Sequence, residues 1–112
     1  MFTIPARYAQ TQINVPISTH VHGAEVLSDF DGGSEQWFTA NGLRGADYRS
    51  AVPGLTNAAV YDYSNDQKAT TIWYYDHALG ITRFNVMSGL AGFYLIRDPA
   101  DMVQGVIAKS SI

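Results

Sequence analysis

The sequence predicts an all-β chain, and three observations point there. Beta-branched and aromatic residues recur in short runs broken by Gly, Pro, Asn and Asp. Several of these runs alternate with a period of two, as a half-covered strand does. One run, Gly89 to Arg97, is almost continuously apolar, which is expected of a strand covered on both faces.

Taken in order, the first strand is expected over residues 7–15, with Ala9, Thr11, Ile13 and Val15 on one face. Pro16 interrupts it and places that stretch at an edge or a bend. A second strand is expected over residues 17–22, with Ser18, His20 and His22 on one face and Ile17, Thr19 and Val21 on the other. Gly23 ends it. Residues 29–34 carry strong turn chemistry, and Asp29 and Asp31 read as turn residues rather than metal ligands. A short strand is expected over 36–39, then a long loop over 41–57 with Gly42, Gly45, Pro53 and Gly54.

Strand character returns over 58–63, and 64–67 reads as a turn. The next strand is expected over 70–75. If it stays extended, Trp73, Tyr75 and His77 fall on one face and Asp76 on the other. Residues 77–87 mix helix formers with Gly80 and read as a short helix or a loop. Pro99 follows the apolar run, and the tail over 101–112 is weakly patterned, one more short strand or a frayed end. No internal repeat or low-complexity segment is present.

Composition sets outer limits. A chain of 112 residues is one domain with a modest core. Hydrophobic residues make up 46% and charged residues 15%, which argues for a folded chain. The net charge of −3 is mild and no basic run is present, so no nucleic-acid partner is expected. No apolar stretch is long enough to cross a membrane. The first residues lack a basic segment followed by a long apolar one, so no signal peptide is read here. A chain that began after a removed leader would look the same, and localisation is left unassigned. There is no cysteine, which excludes disulfides and any thiolate-ligated blue-copper site.

Three histidines carry the metal-binding potential: His20, His22 and His77. The His-x-His spacing of the first two, on a strand, points both imidazoles the same way, as a shared metal site needs. Imidazole suits copper, zinc, iron and nickel alike. On spacing alone, two half-exposed strand histidines that bind nothing are the simpler reading. A lone histidine after an aromatic strand is more often packed or hydrogen-bonded than ligating.

The surrounding residues shift that balance. Thr19-His20-Val21-His22-Gly23, followed by Ser28-Asp29-Phe30-Asp31-Gly32-Gly33 and Trp37-Phe38-Thr39, resembles the first copper motif of laccase-type multicopper oxidases. The resemblance is strongest to the bacterial branch with spore-coat laccases and bilirubin oxidases. The block from Ala69 to Arg83, with Trp73-Tyr74-Tyr75-Asp76-His77 at its centre, resembles the second motif, and Phe84 to Pro99 continues it. The resemblance implies a cupredoxin-like Greek-key β-sandwich. It implies copper as the cofactor, with zinc as the alternative. His20 would face one copper, and His22 and His77 would face the two coppers of a binuclear pair. Members of this family are often secreted, periplasmic or spore-associated.

Two departures limit what carries over. The second motif of the family reads Trp-Tyr-His-Asp-His, and Tyr75 stands in place of its middle histidine. A phenol with a pKa near ~10 is mostly protonated at neutral pH and is a poor ligand. Tyr75 and Asp76 are therefore kept as metal or supporting residues, behind the three histidines. The remaining cluster ligands of the family, and its cysteine copper site, lie in a later domain. The resemblance thus implies one partial cupredoxin-like domain in residues 1–112, with a family-like core over about 15–99 and without the early strands.

A sandwich without its first strands exposes sheet edges and an apolar face. A homo-oligomer formed by strand exchange or edge pairing is expected, or union with a second multicopper oxidase domain. The aromatic residues Trp37, Phe38, Trp73, Tyr74, Phe93 and Tyr94 read as core or interface packing. Arg83 and Arg97 read as solvated, or paired with Asp98 or another carboxylate. Three functions follow: a copper-binding module with weak or no oxidase activity alone, a structural piece with a decayed metal site, or half of a split oxidase. No catalytic residue is assigned.

Overall fold

A computed structural model describes residues 14–49 and 52–100. Its centre is a three-stranded antiparallel sheet in the order β1-β2-β3, with β1 at Thr19–His22, β2 at Thr70–Asp76 and β3 at Ala91–Ile96. One short helix, α1 (Thr82–Met87), connects β2 to β3. A single turn of 3-10 helix lies at Ser28–Phe30.

β2 takes the central position for a reason visible in its residues. Its seven residues, Thr-Thr-Ile-Trp-Tyr-Tyr-Asp, are nearly all β-branched or aromatic and include neither Gly nor Pro. Every backbone N–H is therefore available, and both edges can pair. β1 is short because Pro16 precedes it and Gly23, at φ +91°, ends it. The register sets His20 opposite Tyr75 and His22 opposite Trp73. On the other side it sets Trp73 opposite Phe93 and Tyr75 opposite Ala91.

Facing partners share a face, so the two faces can be read directly. One carries His20, His22, Trp73, Tyr75, Phe93 and Leu95. The other carries Val21, Tyr74, Asp76, Gly92 and Ile96. The second face is the better covered: Val21 is 2% exposed and Ile96 9%, although Tyr74 remains 39% exposed. Tyr74 lies across Gly92 so closely that a Cβ there would fall 2.8 Å from Cζ of the ring. The absent side chain at Gly92 is what lets the two strands stack this aromatic.

α1 is closed by its own backbone. The Leu90 N–H donates to the Asn85 carbonyl at 3.0 Å and the Gly89 N–H to that of Val86 at 3.0 Å, with Gly89 in the left-handed region at φ +102°. This satisfies carbonyls that a helix end leaves open. The Leu90 carbonyl then accepts the Asp76 N–H at 3.0 Å, which ties the helix end to the end of β2.

Several expectations are corrected. Residues 36–39 form no strand; Phe38 makes isolated bridges to Ile17 and Arg44 only. Residues 58–63 do not form a strand either. There the tyrosines use side chains instead, and the Tyr61 hydroxyl accepts the Thr19 N–H at 3.1 Å. The apolar run that forms β3 is not covered on both faces: Phe93 is 79% exposed and Leu95 53%. Among the described residues, nothing covers the Phe93 and Leu95 end of that face, while the 31–33 turn packs on its histidine end. The strand expected over 7–15 lies outside the described residues apart from Asn14 and Val15, which are not in a strand, and the tail over 101–112 also lies outside them. No helix among the described residues is long and apolar enough to cross a membrane.

Candidate metal centre

Strand alternation delivers His20 and His22 to the open face of the sheet, and the register brings Tyr75 beside both. His77 follows β2 directly. Its N–H donates to the Ser18 carbonyl at 2.7 Å, which continues the pairing of β1 and β2 by one residue and keeps its ring on the same face. The four rings form a cluster in which Tyr75 lies within 6.0 Å of all three imidazoles, between centroids. His20 stacks on His77 with centroids 4.8 Å apart and planes 27° apart. His20 lies 5.9 Å from His22 and 5.4 Å from Tyr75. Trp73 extends the cluster, with its ring 4.5 Å from that of Tyr75.

The ring nitrogens are not equivalent. His20 Nδ1 lies 2.7 Å from the Asp31 carbonyl oxygen, and 3.3 Å from the Asp31 carboxylate. His77 Nδ1 lies 3.1 Å from the Gly32 carbonyl oxygen. A carbonyl oxygen can only accept, so in both rings Nδ1 carries the proton. In the neutral imidazole Nε2 then holds the lone pair. This is the outer support typical of a metal-ligating histidine, whose second nitrogen donates to a carbonyl or carboxylate. His22 differs. Its Nδ1 meets the Tyr75 hydroxyl at 3.2 Å, a partner that can donate or accept and so fixes neither tautomer.

The supporting turn at 31–33 comes close because it holds glycine. Gly32 has φ +69°, and a Cβ there would sit 1.7 Å from the Thr19 carbonyl oxygen. Any other residue would push the turn off β1, and the carbonyls off the rings.

Asp76 is on the other face. Its carboxylate is 4% exposed and accepts from Ser18 N at 2.8 Å, Ala78 N at 3.1 Å and Asn85 Nδ2 at 2.8 Å. Asn85 Nδ2 also donates to the Pro16 carbonyl at 3.0 Å. The acid thus joins the start of β1, the end of β2 and α1, and points away from the rings.

The donor chemistry of the cluster fits copper: three imidazoles, two of them with oriented lone pairs. The geometry fits a single ion less well. Among the described residues, no three His, Asp or Glu side chains are grouped so that one ion could be held by all of them. The rings stand close together, but they do not form a cage around one ion.

Comparison with known proteins gives this cluster its context. Residues 9–101 match the sequence profile of the multicopper oxidase domain. The chain belongs to the multicopper oxidase family. It is 44% identical over 79 residues to a laccase of Bacillus stratosphericus, an alignment that takes in 70% of this chain and 14% of the relative. It is 39% identical over 82 residues to a laccase of Bacillus subtilis, covering 73% of this chain and 15% of that protein. To a bilirubin oxidase of Albifimbria verrucaria it is 37% identical over 86 residues, covering 77% and 12%. The chain thus spans about a seventh of the length of these curated relatives. Its antiparallel β architecture agrees with a cupredoxin-like piece of a multicopper oxidase, and membership of that family implies copper.

The residues that sequence reasoning did not single out are the supports. Ser18 and Gln36 are buried and hold the 31–33 turn of this multicopper oxidase domain. Ser18 had a signal, since it lies two residues before His20 on the same strand face. Gln36 had none, because its partners are backbone groups that only the folded turn brings near.

Proposed function

We propose that this chain is a copper-binding half-site of a laccase-like oxidase, with His20, His22 and His77 as ligands. Little or no oxidase activity is expected from it alone. The observation that supports this reading is the pair of oriented imidazoles: His20 and His77 both give their Nδ1–H to main-chain carbonyls, which leaves Nε2 for metal. Copper bound there would supply the one-electron chemistry by which laccases couple the oxidation of phenols to the reduction of dioxygen to water. The residues of this chain orient the ligand atoms, and the phenol of Tyr75 stands among the three imidazoles.

The test is a metal count. The purified chain is loaded with copper(II), freed of excess, and measured by inductively coupled plasma mass spectrometry beside a His20→Ala/His22→Ala variant. Stoichiometric copper that is lost in the variant is expected. Retention of none by the parent chain would leave the motif as fold alone, the decayed site that Tyr75 suggests.

A partner completes this reading, and the open face favours one. Trp73 is 44% exposed, and with Phe93 and Leu95 it makes an apolar band beside the histidines. A second copy that pairs edges or exchanges strands would cover the band, and so would a further multicopper oxidase domain making a split oxidase. Light scattering at micromolar concentration separates them. A dimer or larger assembly is expected if the chain covers itself, whereas a monomer removes that arrangement and leaves the separate domain.

A further inference from the structure

The orientation of the imidazoles depends on a segment that contributes no ring. Residues 31–33 present three successive carbonyl oxygens to one side of the cluster. That of Asp31 takes His20 Nδ1, that of Gly32 takes His77 Nδ1, and that of Gly33 takes the Ser18 hydroxyl at 3.0 Å. Two buried side chains hold this segment in place. Ser18 is fully buried and is itself fixed to the sheet: its N–H donates to Asp76 Oδ1 at 2.8 Å and its carbonyl accepts the His77 N–H at 2.7 Å. Gln36 is buried too. Its Oε1 accepts the Gly33 N–H at 2.6 Å and its Nε2 donates to the Ser28 carbonyl at 2.9 Å, so it clamps both ends of the 28–33 turn.

We propose that Ser18 and Gln36 are positioning residues that select the Nδ1–H tautomer of His20 and His77, and so present Nε2 of both rings on the open face. A neutral imidazole has two tautomers, and the hydrogen bond made by one nitrogen decides which is populated. Both carbonyls sit on the same few peptide units. A shift of that segment by an ångström would take both bonds beyond the distance at which they hold. Two rings, one on β1 and one just after β2, therefore share one support, and removing either buried anchor frees both. The value of this to the protein rests on the copper reading above, but the tautomers can be measured without metal.

The experiment uses the full 112-residue chain, labelled with nitrogen-15, metal-free, at a pH where the imidazoles are neutral. Long-range proton–nitrogen correlation spectra show which ring nitrogen bears the proton. In the parent chain, His20 and His77 are expected in the Nδ1–H form. Ser18→Ala and Gln36→Ala are each expected to move both rings towards a mixture. Thr39→Ala is the matched control. It also deletes a buried hydroxyl, one that accepts the Leu43 N–H at 3.0 Å and donates to Asn41 Oδ1 at 2.6 Å, away from the turn. It is expected to cost similar stability and leave the tautomers alone.

Parent rings in the Nε2–H form would overturn the proposal. So would tautomers that do not change in Ser18→Ala and Gln36→Ala, or that change as much in Thr39→Ala. If copper binds, its affinity is expected to fall about tenfold in Ser18→Ala, the low end of the usual loss when a ligand's support is removed. Selected tautomers with no copper retained would sink the copper reading and leave the positioning role standing. Copper retained with tautomers unmoved by the variants would do the reverse.

Discussion

The same three strands make two unlike surfaces. On one face Val21, Asp76 and Ile96 are buried, and α1 returns its end to β2 through the Leu90 carbonyl. On the other face the histidine cluster lies beside Trp73, Phe93 and Leu95, all substantially open to solvent. Strand alternation sends every second residue to each side, so the chain writes both surfaces in the same stretch of sequence. The difference teaches a division of labour. The closed face is knit together by a buried acid with three donors, and the other face sets the imidazoles beside exposed apolar side chains. The buried acid and the ring cluster are one residue apart at the end of β2: Tyr75 and His77 on one side, Asp76 between them on the other.

The largest effect should come from attacking the closed face. Asp76→Ala strands the N–H of Ser18 and Ala78 and leaves the Asn85 amide only its bond to the Pro16 carbonyl, all in or near the buried junction. Hydrogen bonds to a carboxylate are each worth ~1.5–3 kcal/mol, so a loss of at least ~3 kcal/mol is expected, a large share of a small domain's stability. Phe93→Ala removes a larger side chain from the open face and should change stability by less than ~0.5 kcal/mol. Urea titrations followed by circular dichroism measure both. A comparable cost at Phe93 would break the comparison, because it would mean that the open face is covered in solution.

A second change sharpens the comparison within the open face. Tyr75→His restores an imidazole beside His22, where the phenol now sits 3.2 Å from Nδ1. Because the face is open, the new ring should fit without disturbing the fold. Copper(II) affinity should rise about tenfold, roughly 1.4 kcal/mol, as read by competition with a chelator. No gain would mean that the cluster, not the identity of its fourth member, limits binding.

How far the sequence foretold this arrangement depends on what each feature rests on. β2 and the shared face of His20, His22 and Tyr75 were legible because alternation and β-branched runs are local signals. The turn at 29–34 was legible for the same reason. The exposure of β3 was not, since an apolar run says what a strand prefers and not what is available to cover it. Residues 58–63 read as a strand by composition, yet Tyr61, Tyr63 and their neighbours pack through side chains instead. Asp76 was placed on the far face by its position, but its three donors come from residues 18, 78 and 85, and no local pattern joins those. The supports of the imidazoles failed to show for the same reason: a carbonyl has no signature in a sequence.

The smallest effect lies at the margin of the closed face, and it is a matter of pH. Tyr63 stacks on Tyr61 with planes 5° apart and meets Tyr94, a closed-face residue of β3, at 5.8 Å. Its hydroxyl oxygen is buried and finds no partner among the described residues. Burial, with the nearby Tyr61, Tyr94 and Asp31, pushes the phenol up from 10.0 to about 12. The folded chain therefore holds this proton more tightly than the unfolded one. The stability so gained is complete below about pH 10 and drains away as pH rises towards about 12. Tyr63→Phe removes that ionisation along with a buried hydroxyl that makes no bond, so at neutral pH it should be neutral or stabilising by less than ~1 kcal/mol. The difference between the variant and the parent should then widen in favour of the variant between about pH 10 and 12. Urea midpoints taken across that window measure it. A parent chain that is clearly the more stable at neutral pH would show that the hydroxyl is bonded after all, and that the closed face reaches further along the sheet than Val21, Asp76 and Ile96 define.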